Sequence, residues 1–211
     1  MPIALAPPAQ CGPAHAAGLG TYLDRRTFSG MPRLKPLTCL PTFDPETGDL
    51  IVLVETPRHS RSKYAYNTDT GTFDLKFVLP EGMTFPLDFG FAPSTLGQDG
   101  DPLDVLLLLD EPVAVGTRTK ARLVGAIRAH EREKDGRWDR NDRLIAVAVH
   151  AHAHEHIHAI QDMNQQTLAD VEAFFEAYNR LHGKDFRIKD HVDAKKAGKL
   201  LRKGQAAYRH R

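Results

Sequence analysis

Three aspartates in one short segment, Asp99, Asp101 and Asp104, are the residues of this chain best placed to do chemistry. Carboxylates this close repel one another unless cations lie between them, and a ligand set made only of oxygen selects hard cations such as Mg²⁺ or Mn²⁺. Two such ions would lower the pKa of a bound water and neutralise a substrate that carries several negative charges. Asp-Gly and Asp-Pro are also ordinary turn signals, so a turn with solvated carboxylates, or a loop for one calcium ion, is the alternative.

The rest of the chain must supply the elements that position this acidic segment. The strand candidates are short apolar runs at 51–54, 105–109, 123–127 and 144–149, and an alternating stretch at 73–77. Alternation predicts a half-buried strand, and a continuous run fits a strand that is covered on both faces. Several short strands with turn signals between them are typical of a closed barrel.

Two helices are predicted after these strands. Apolar residues recur at helical spacing from 168 to 181, where Asn164 or Thr167 would cap the start, and a second helix is expected from about 193 to 208. The Lys and Arg residues of the second helix are expected to form a solvated face. Residues 1–40, rich in Ala, Pro and Gly, are expected to be an extension with little core, and residues 41–211 to form one domain.

Composition argues against several classes of protein. The formal net charge is only +1, which gives no case for a nucleic-acid partner. No apolar run approaches the ~18 residues that a membrane span needs, and the N-terminus lacks the pattern of a secretory signal. Cys11 and Cys39 do not indicate a disulfide framework. A cytoplasmic location is therefore expected.

The residues around the three aspartates add a family resemblance. The stretch Gly90-Phe91-Ala92-Pro93, followed by Asp99 to Val105, resembles the signature of family I soluble inorganic pyrophosphatases. The other matching segments, in the family's order and at nearly its spacings, are Glu55-Thr56-Pro57, Lys63-Tyr64, Val124-Gly125 and Phe174 to Tyr178. The resemblance covers roughly residues 50 to 208 and is that of a divergent member of the family.

This resemblance implies a fold, an activity and an assembly. The fold is mainly β with flanking α-helices (α+β), built on a five-stranded OB-like closed barrel with C-terminal helices. The activity is the hydrolysis of pyrophosphate to two phosphates with Mg²⁺, for which Mn²⁺ or Zn²⁺ are possible substitutes. A homo-oligomer without a membrane or nucleic-acid partner is implied as well.

The resemblance also assigns roles to single residues. Asp99, Asp101 and Asp104 match metal ligands, and Asp101 matches the carboxylate that accepts a proton from the attacking water. The phosphate-binding positions are Lys63, Lys76, Arg143 and Tyr178. Further metal candidates are Glu55 and, in a second segment whose loop is longer than the family's, Glu131 and Asp142. Asn141 stands where that segment has an aspartate, so Asp142 or Asp139 would have to replace it.

Several departures keep other functions open. The chain has Ala65 in place of a glutamate, Lys76 in place of an arginine, Phe85 and Phe89 in place of tyrosines, and Asn179 in place of a lysine. A lysine lacks the two-pronged donor geometry of an arginine, and each missing hydroxyl removes a hydrogen-bond donor. The alternatives are a hydrolase of the same fold that acts on another phosphoanhydride or phosphate ester, and a non-catalytic metal- or phosphate-binding relative.

A histidine run has no counterpart in the resemblance. His150, His152, His154, His156 and His158 alternate along the chain. As a strand, this run would present all five imidazoles on one face, which would suit Zn²⁺ or Ni²⁺. A polar surface or a subunit contact is the alternative.

Overall fold

The computed structural model describes residues 35–132 and 135–210, so most of the expected extension lies outside the described residues. The strands in this part of the chain are β1 (Leu50–Thr56), β2 (Ser62–Asn67), β3 (Thr72–Val78), β4 (Asp88–Phe91), β5 (Asp104–Leu108), β6 (Arg118–Arg132), β7 (Trp138–Arg140), β8 (Arg143–Ala148) and β9 (Asp185–Asp193). The helices are α1 (Gln165–Leu181) and α2 (Ala194–Arg209), and short 3₁₀ turns lie at Leu37–Cys39 and Ile160–Asp162.

Five strands close on themselves. β1 pairs with β4, β4 with β5, β5 with β8 and β8 with β6, and β6 returns to β1. Only the β5–β8 pairing of this ring is parallel. β7 and β9 extend the sheet from β6, and β2 and β3 form a separate hairpin. This ring, with α1 and α2 beside it, confirms the predicted mainly β fold with flanking helices.

The ring strands β1, β5 and β8 are covered on both faces, which explains their continuous apolar runs. All residues of β1 and of β8 are buried. In β1, Val52 joins the main core, whereas Leu53 packs in a second cluster with Leu37 and Leu40. The segment just before residue 41 therefore contributes to the fold, although it was expected to belong to the extension.

Gly90 lets two of these strands approach closely. A Cβ atom at this position would lie 2.1 Å from the carbonyl oxygen of Leu53, so any other residue would push β4 away from β1. The packing of the ring thus accounts for a glycine in the Gly-Phe-Ala-Pro segment.

Both helices begin where the sequence predicts. The Asn164 side chain accepts hydrogen bonds from the backbone N–H groups of Gln166 and Thr167, which confirms Asn164 rather than Thr167 as the cap of α1. Asp193 caps α2 by accepting from the N–H of Lys196. None of the described helices is long and apolar enough to cross a membrane.

Three details differ from the sequence-based expectations. The predicted strand at β3 forms, but it is more exposed than expected, with Leu75 at 55% exposure, because its hairpin stands apart from the ring. Residues 150–158 form turns, so the strand that would align five imidazoles is wrong. Instead, Asp110 accepts from the N–H of His152 and Ala153.

Cys39 is disulfide-bonded, contrary to expectation, while Cys11 lies outside the described residues.

Asp44 provides a test of the fold's electrostatics. Its carboxylate accepts hydrogen bonds from the N–H groups of Glu46 and Thr47 and pairs with Lys120 at 2.9 Å. These contacts, Lys120 first, hold the pKa of Asp44 well below its usual range. A depressed folded-state pKa stabilises the fold above the unfolded pKa of about 4, and this stabilisation is lost as the pH falls through the folded value.

Asp44→Asn is therefore expected to lower the Tm at pH 7 because it removes the ion pair. The difference from the unmodified protein should shrink as the pH is lowered below about 4. Thermal melts followed by circular dichroism across this range measure it. Glu46→Gln, an exposed change in the same turn, is the matched control and should leave the Tm unchanged. A Tm difference for Asp44→Asn that does not vary with pH would contradict the assignment.

Candidate active site

One cavity of about 1310 Å³ brings together residues that are far apart in the sequence. Its walls come from the ends of ring strands, from the segment between β4 and β5, from the β2–β3 hairpin and from α1. The predicted site residues that line it are Glu55, Lys63, Lys76, Asp99, Asp101, Asp104, Glu131, Arg143 and Tyr178. The structure therefore gathers nearly all the predicted site residues around one space.

The acidic segment forms a tight loop at the rim of this cavity. Gly100 has φ +90°, a conformation that suits glycine, and the N–H of Asp101 donates to Oδ1 of Asp99 at 3.1 Å. Burial and the nearby charges of Asp104 and Asp101 raise the pKa of Asp99 to about 7. The loop thus concentrates more negative charge than its surroundings balance.

Asp104 and Arg143 hold each other across the parallel strand pair. They are register partners at the start of β5 and β8, and Nη1 of Arg143 lies 2.5 Å from Oδ2 of Asp104. The Arg143 side chain is only 5% exposed, and its guanidinium carbon lies 5.2 Å from the centre of the Phe175 ring and 5.9 Å from that of Phe89. Burial raises the pKa of Asp104, and the charge of Arg143 opposes this rise.

A second buried ion pair joins the strand ring to the β2–β3 hairpin. Glu55 lies where the register of β1 against β4 shifts, a bulge of the kind that redirects a side chain. Its carboxylate accepts from the N–H of Tyr66 at 2.7 Å and pairs with Nζ of Lys63 at 3.4 Å. Burial raises the pKa of Glu55 and lowers that of Lys63, while each charge favours the ionised form of the other.

Aromatic rings form the wall around Lys63. Its Nζ lies 3.8 Å from the centre of the Phe89 ring and 6.0 Å from that of Phe85. A cation over a ring face is attracted by the ring's negative centre. Tyr178 packs edge-on against Phe85, and burial raises the pKa of its hydroxyl, which therefore stays a donor at neutral pH.

Glu131 belongs to a third set of contacts. Its Oε2 accepts from the side-chain amide of Asn141 at 3.0 Å, and its Oε1 pairs with Nζ of Lys184 at 2.5 Å. The Oδ1 atom of Asn141 in turn accepts from Arg143. Glu131 is thus linked through Asn141 to the cation that neutralises Asp104.

The structure does not bring Asp142 to the cavity. Its carboxylate accepts from the N–H of Ala129 at 3.2 Å and pairs with Arg140 at 2.6 Å. Asp139, the other candidate for that place, does line the cavity and pairs with Arg137. Asp142 lies between β7 and β8, where the Ala129 N–H and Arg140 engage its carboxylate outside the cavity.

Comparison with known proteins gives the family. The family model described as inorganic pyrophosphatase matches residues 52–209, which is most of the chain. The chain belongs to the inorganic pyrophosphatase family. The inorganic pyrophosphatase of Leifsonia xyli is 38% identical over 156 residues, which are 74% of this chain and 93% of that protein. The enzyme of Thermus thermophilus is 36% identical over 148 residues, 70% of this chain and 82% of that protein.

Solved structures agree with this membership. A crystal structure of the Thermus thermophilus inorganic pyrophosphatase has a TM-score of 0.75 at 32% identity and covers 82% of this chain and 99% of that one. A solved structure of the Helicobacter pylori inorganic pyrophosphatase has a TM-score of 0.69 at 32% identity and covers 76% of this chain and 94% of that one. The recognition made from the motifs is confirmed.

The positions that depart from the family pattern have structural consequences. Phe85 and Phe89 are buried rings that pack beside Lys63, so no hydroxyl faces the ammonium there. Asn179 is 2% exposed, and its amide donates to the carbonyl oxygen of Phe175 in its own helix. Position 179 therefore supplies no cation to the cavity.

Other cavity residues escaped the sequence analysis. Those that carry a basic side chain are Arg137, His182, Lys184 and Arg209. Lys184 follows Gly183, whose φ of +71° turns the chain out of α1 towards β9. No local pattern marks Lys184, because its partner Glu131 lies 53 positions earlier.

The donor chemistry decides where a metal ion fits. Among residues 35–132 and 135–210, no three His, Cys, Asp or Glu side chains are arranged as they stand to hold a metal. Basic side chains engage Glu55, Asp104 and Glu131 instead. The acidic loop fits a hard divalent ion, since its donors are carboxylate oxygens whose mutual repulsion a cation would relieve. Glu131 does not fit as it stands, because both of its oxygens are already bonded.

Proposed function

We propose that this protein hydrolyses inorganic pyrophosphate to two phosphates in a Mg²⁺-dependent reaction. The observation that carries the proposal is the single cavity that combines the acidic loop with Lys63, Arg143 and Tyr178. Hydrolysis of a phosphoanhydride depends mainly on positioning and on the neutralisation of charge. An acidic rim that faces two buried cations and a hydroxyl donor meets both needs.

Asp99, Asp101 and Asp104 would hold the divalent ions of this reaction, with Mg²⁺ as the first choice and Mn²⁺ or Zn²⁺ as substitutes. When bound, such ions supply charge neutralisation and a water of lowered pKa. Asp101 accepts a proton from the attacking water. The water oxygen forms a bond to one phosphorus atom, the bridging P–O bond breaks, and the leaving phosphate keeps the bridging oxygen.

The opposite wall binds the phosphate groups. Lys63 and Arg143 provide buried positive charge, and the Tyr178 hydroxyl donates a hydrogen bond. Lys76, which pairs with Asp74 at 3.4 Å and is 48% exposed, adds a weaker contact at the cavity mouth. These donors are aimed at the negative charge that grows on the leaving phosphate.

A second candidate is a hydrolase of another phosphoanhydride or phosphate ester. The buried rings of Phe85 and Phe89 favour it, because they replace polar contacts to phosphate by an apolar wall that suits an organic group. The same two rings also surround Lys63. They therefore support the second candidate less strongly than the acidic loop and the buried cations support pyrophosphate hydrolysis.

Phosphate release separates these candidates. With Mg²⁺, pyrophosphate is expected to be turned over faster than any member of a panel of nucleotides, sugar phosphates and short polyphosphates. Removal of divalent ions with EDTA should abolish turnover, and added Mg²⁺ should restore it, because the acidic loop loses its cations and regains them. Faster release from an organic phosphate would favour the second candidate. No release from any compound with Mg²⁺, Mn²⁺ or Zn²⁺ would overturn both.

The homo-oligomer, which the family resemblance implies, and the cytoplasmic location, which composition favours, stay predictions. The molar mass measured by light scattering gives the number of subunits directly.

A further inference from the structure

Glu131 has a partner at each of its two carboxylate oxygens. Its side chain is only 8% exposed, Oε1 lies 2.5 Å from Nζ of Lys184, and Oε2 accepts from the Asn141 amide at 3.0 Å. A Mg²⁺ ion demands oxygen ligands at about 2.0–2.1 Å in near-octahedral geometry. An ion bound to Glu131 would therefore lie close to the Lys184 ammonium, and their like charges would repel each other.

The charges at this point of the cavity also match an ammonium better than a divalent ion. The family resemblance leads us to expect two aspartates here, but the chain has one carboxylate, Glu131, and one neutral amide, Asn141. One negative charge is balanced by one ammonium, whereas a divalent ion would keep an excess positive charge. The neutral amide at position 141 and the ammonium of Lys184 therefore agree with each other, because together with Glu131 they leave no net charge.

Lys184 also supplies a cation to the cavity, whereas α1 has Asn179 at the position where the family resemblance leads us to expect a lysine. Asn179 is turned back onto its own helix, and its carbonyl oxygen accepts from the N–H of Lys184 at 3.0 Å. The turn at Gly183 brings Lys184 to the cavity from the start of β9. Its side chain remains 30% exposed, so the ammonium can also meet a ligand in the cavity.

These contacts continue to the acidic loop. Lys184 bonds Glu131, Glu131 accepts from Asn141, Asn141 accepts from Arg143, and Arg143 pairs with Asp104. Every neighbouring pair in this series is in direct contact. The series therefore connects Lys184 to Arg143 and Asp104 through direct contacts.

We propose that the Lys184 ammonium occupies the place beside Glu131 that a divalent cation would otherwise take, so that Glu131 is a positioning residue and not a metal ligand. This inference deepens the proposed function and rests on it for the identity of the substrate. The number of bound metal ions does not depend on the proposed function, because it is measured without substrate.

Equilibrium dialysis with Mn²⁺ alone tests the proposal, on the full chain and on four variants. Glu131→Gln, which keeps the size of the side chain, should bind as many Mn²⁺ ions as the unmodified protein. Lys184→Met should bind one more, because it frees Glu131. Lys184→Arg should restore the original number, and Lys184→Met combined with Glu131→Gln should not gain the extra ion.

The opposite results would overturn the proposal. Loss of one Mn²⁺ in Glu131→Gln would make Glu131 a metal ligand, and an unchanged number in Lys184→Met would remove the competition between Lys184 and a metal. Circular dichroism of each variant checks the fold, and Glu131→Gln alone decides the matter if Lys184→Met does not fold. Since pyrophosphate takes no part, these outcomes are separate from a failure of the proposed activity.

Discussion

Replacing Asp101 with asparagine is expected to lower kcat for pyrophosphate by about 10²–10⁴-fold, the range that a positioned proton acceptor contributes. Asparagine has nearly the same shape and keeps an oxygen, but it carries no charge and does not accept a proton at neutral pH. Asp101 is an exposed residue of the acidic loop, and it faces the cavity that also holds Lys63 and Arg143. The fold should therefore survive the change.

Asp135→Asn is the matched control for this prediction. Asp135 is an exposed aspartate that lines the same cavity, but it lies in the turn between β6 and β7 and accepts from the N–H of Arg137. Its replacement removes the same charge and should change kcat by less than about threefold, as expected of a surface substitution away from the reacting atoms. Steady-state phosphate release under saturating Mg²⁺ measures both variants. Equal activity of Asp101→Asn and the unmodified protein would remove Asp101 from its assigned role.

The acidic loop was predictable from the sequence because its chemistry is local. Asp99, Asp101 and Asp104 lie within six consecutive residues, and Gly100 marks the backbone conformation that the turn before β5 requires. Four of the five ring strands, β1, β5, β6 and β8, were predictable for a similar reason, since covered faces produce an apolar run. β2, whose residues are all partly exposed, and the short ring strand β4 carry no such run and were not predicted.

The contacts of Lys184 and of the residues after the lengthened loop were not predictable from one sequence. Lys184 reaches Glu131 only because β9 pairs with the end of β6, and this pairing is set by the whole sheet. The choice between Asp139 and Asp142 depends on the register of the chain after a lengthened loop, where a shift of one residue reverses the face. Long-range pairing and register are tertiary properties, and a family resemblance supplies them only where the loops keep their length.

Replacing Arg143 with methionine is expected to have the largest combined effect on stability and activity. Arg143 neutralises Asp104 at 2.5 Å and contacts Asn141, and its side chain is 5% exposed. Breaking a buried ion pair on one side leaves an uncompensated charge and costs about 3 kcal/mol or more. Activity should fall by about 10²–10³-fold as well, which is typical of losing one donor to the charge that develops in the transition state.

Mg²⁺ provides the diagnostic part of this prediction. Once Arg143 is gone, no guanidinium competes with the metal ion for Asp104. Asp104 should then bind the ion more strongly together with Asp99 and Asp101, so bound Mg²⁺ should raise the Tm of Arg143→Met more than that of the unmodified protein. Arg140→Met, which removes the partner of Asp142 outside the cavity, is the control and should show the ordinary Mg²⁺ shift. Thermal melts with EDTA and with Mg²⁺ provide the comparison. If Mg²⁺ stabilises the two variants equally, Arg143 and a metal ion do not share Asp104, and the buried pair is purely structural.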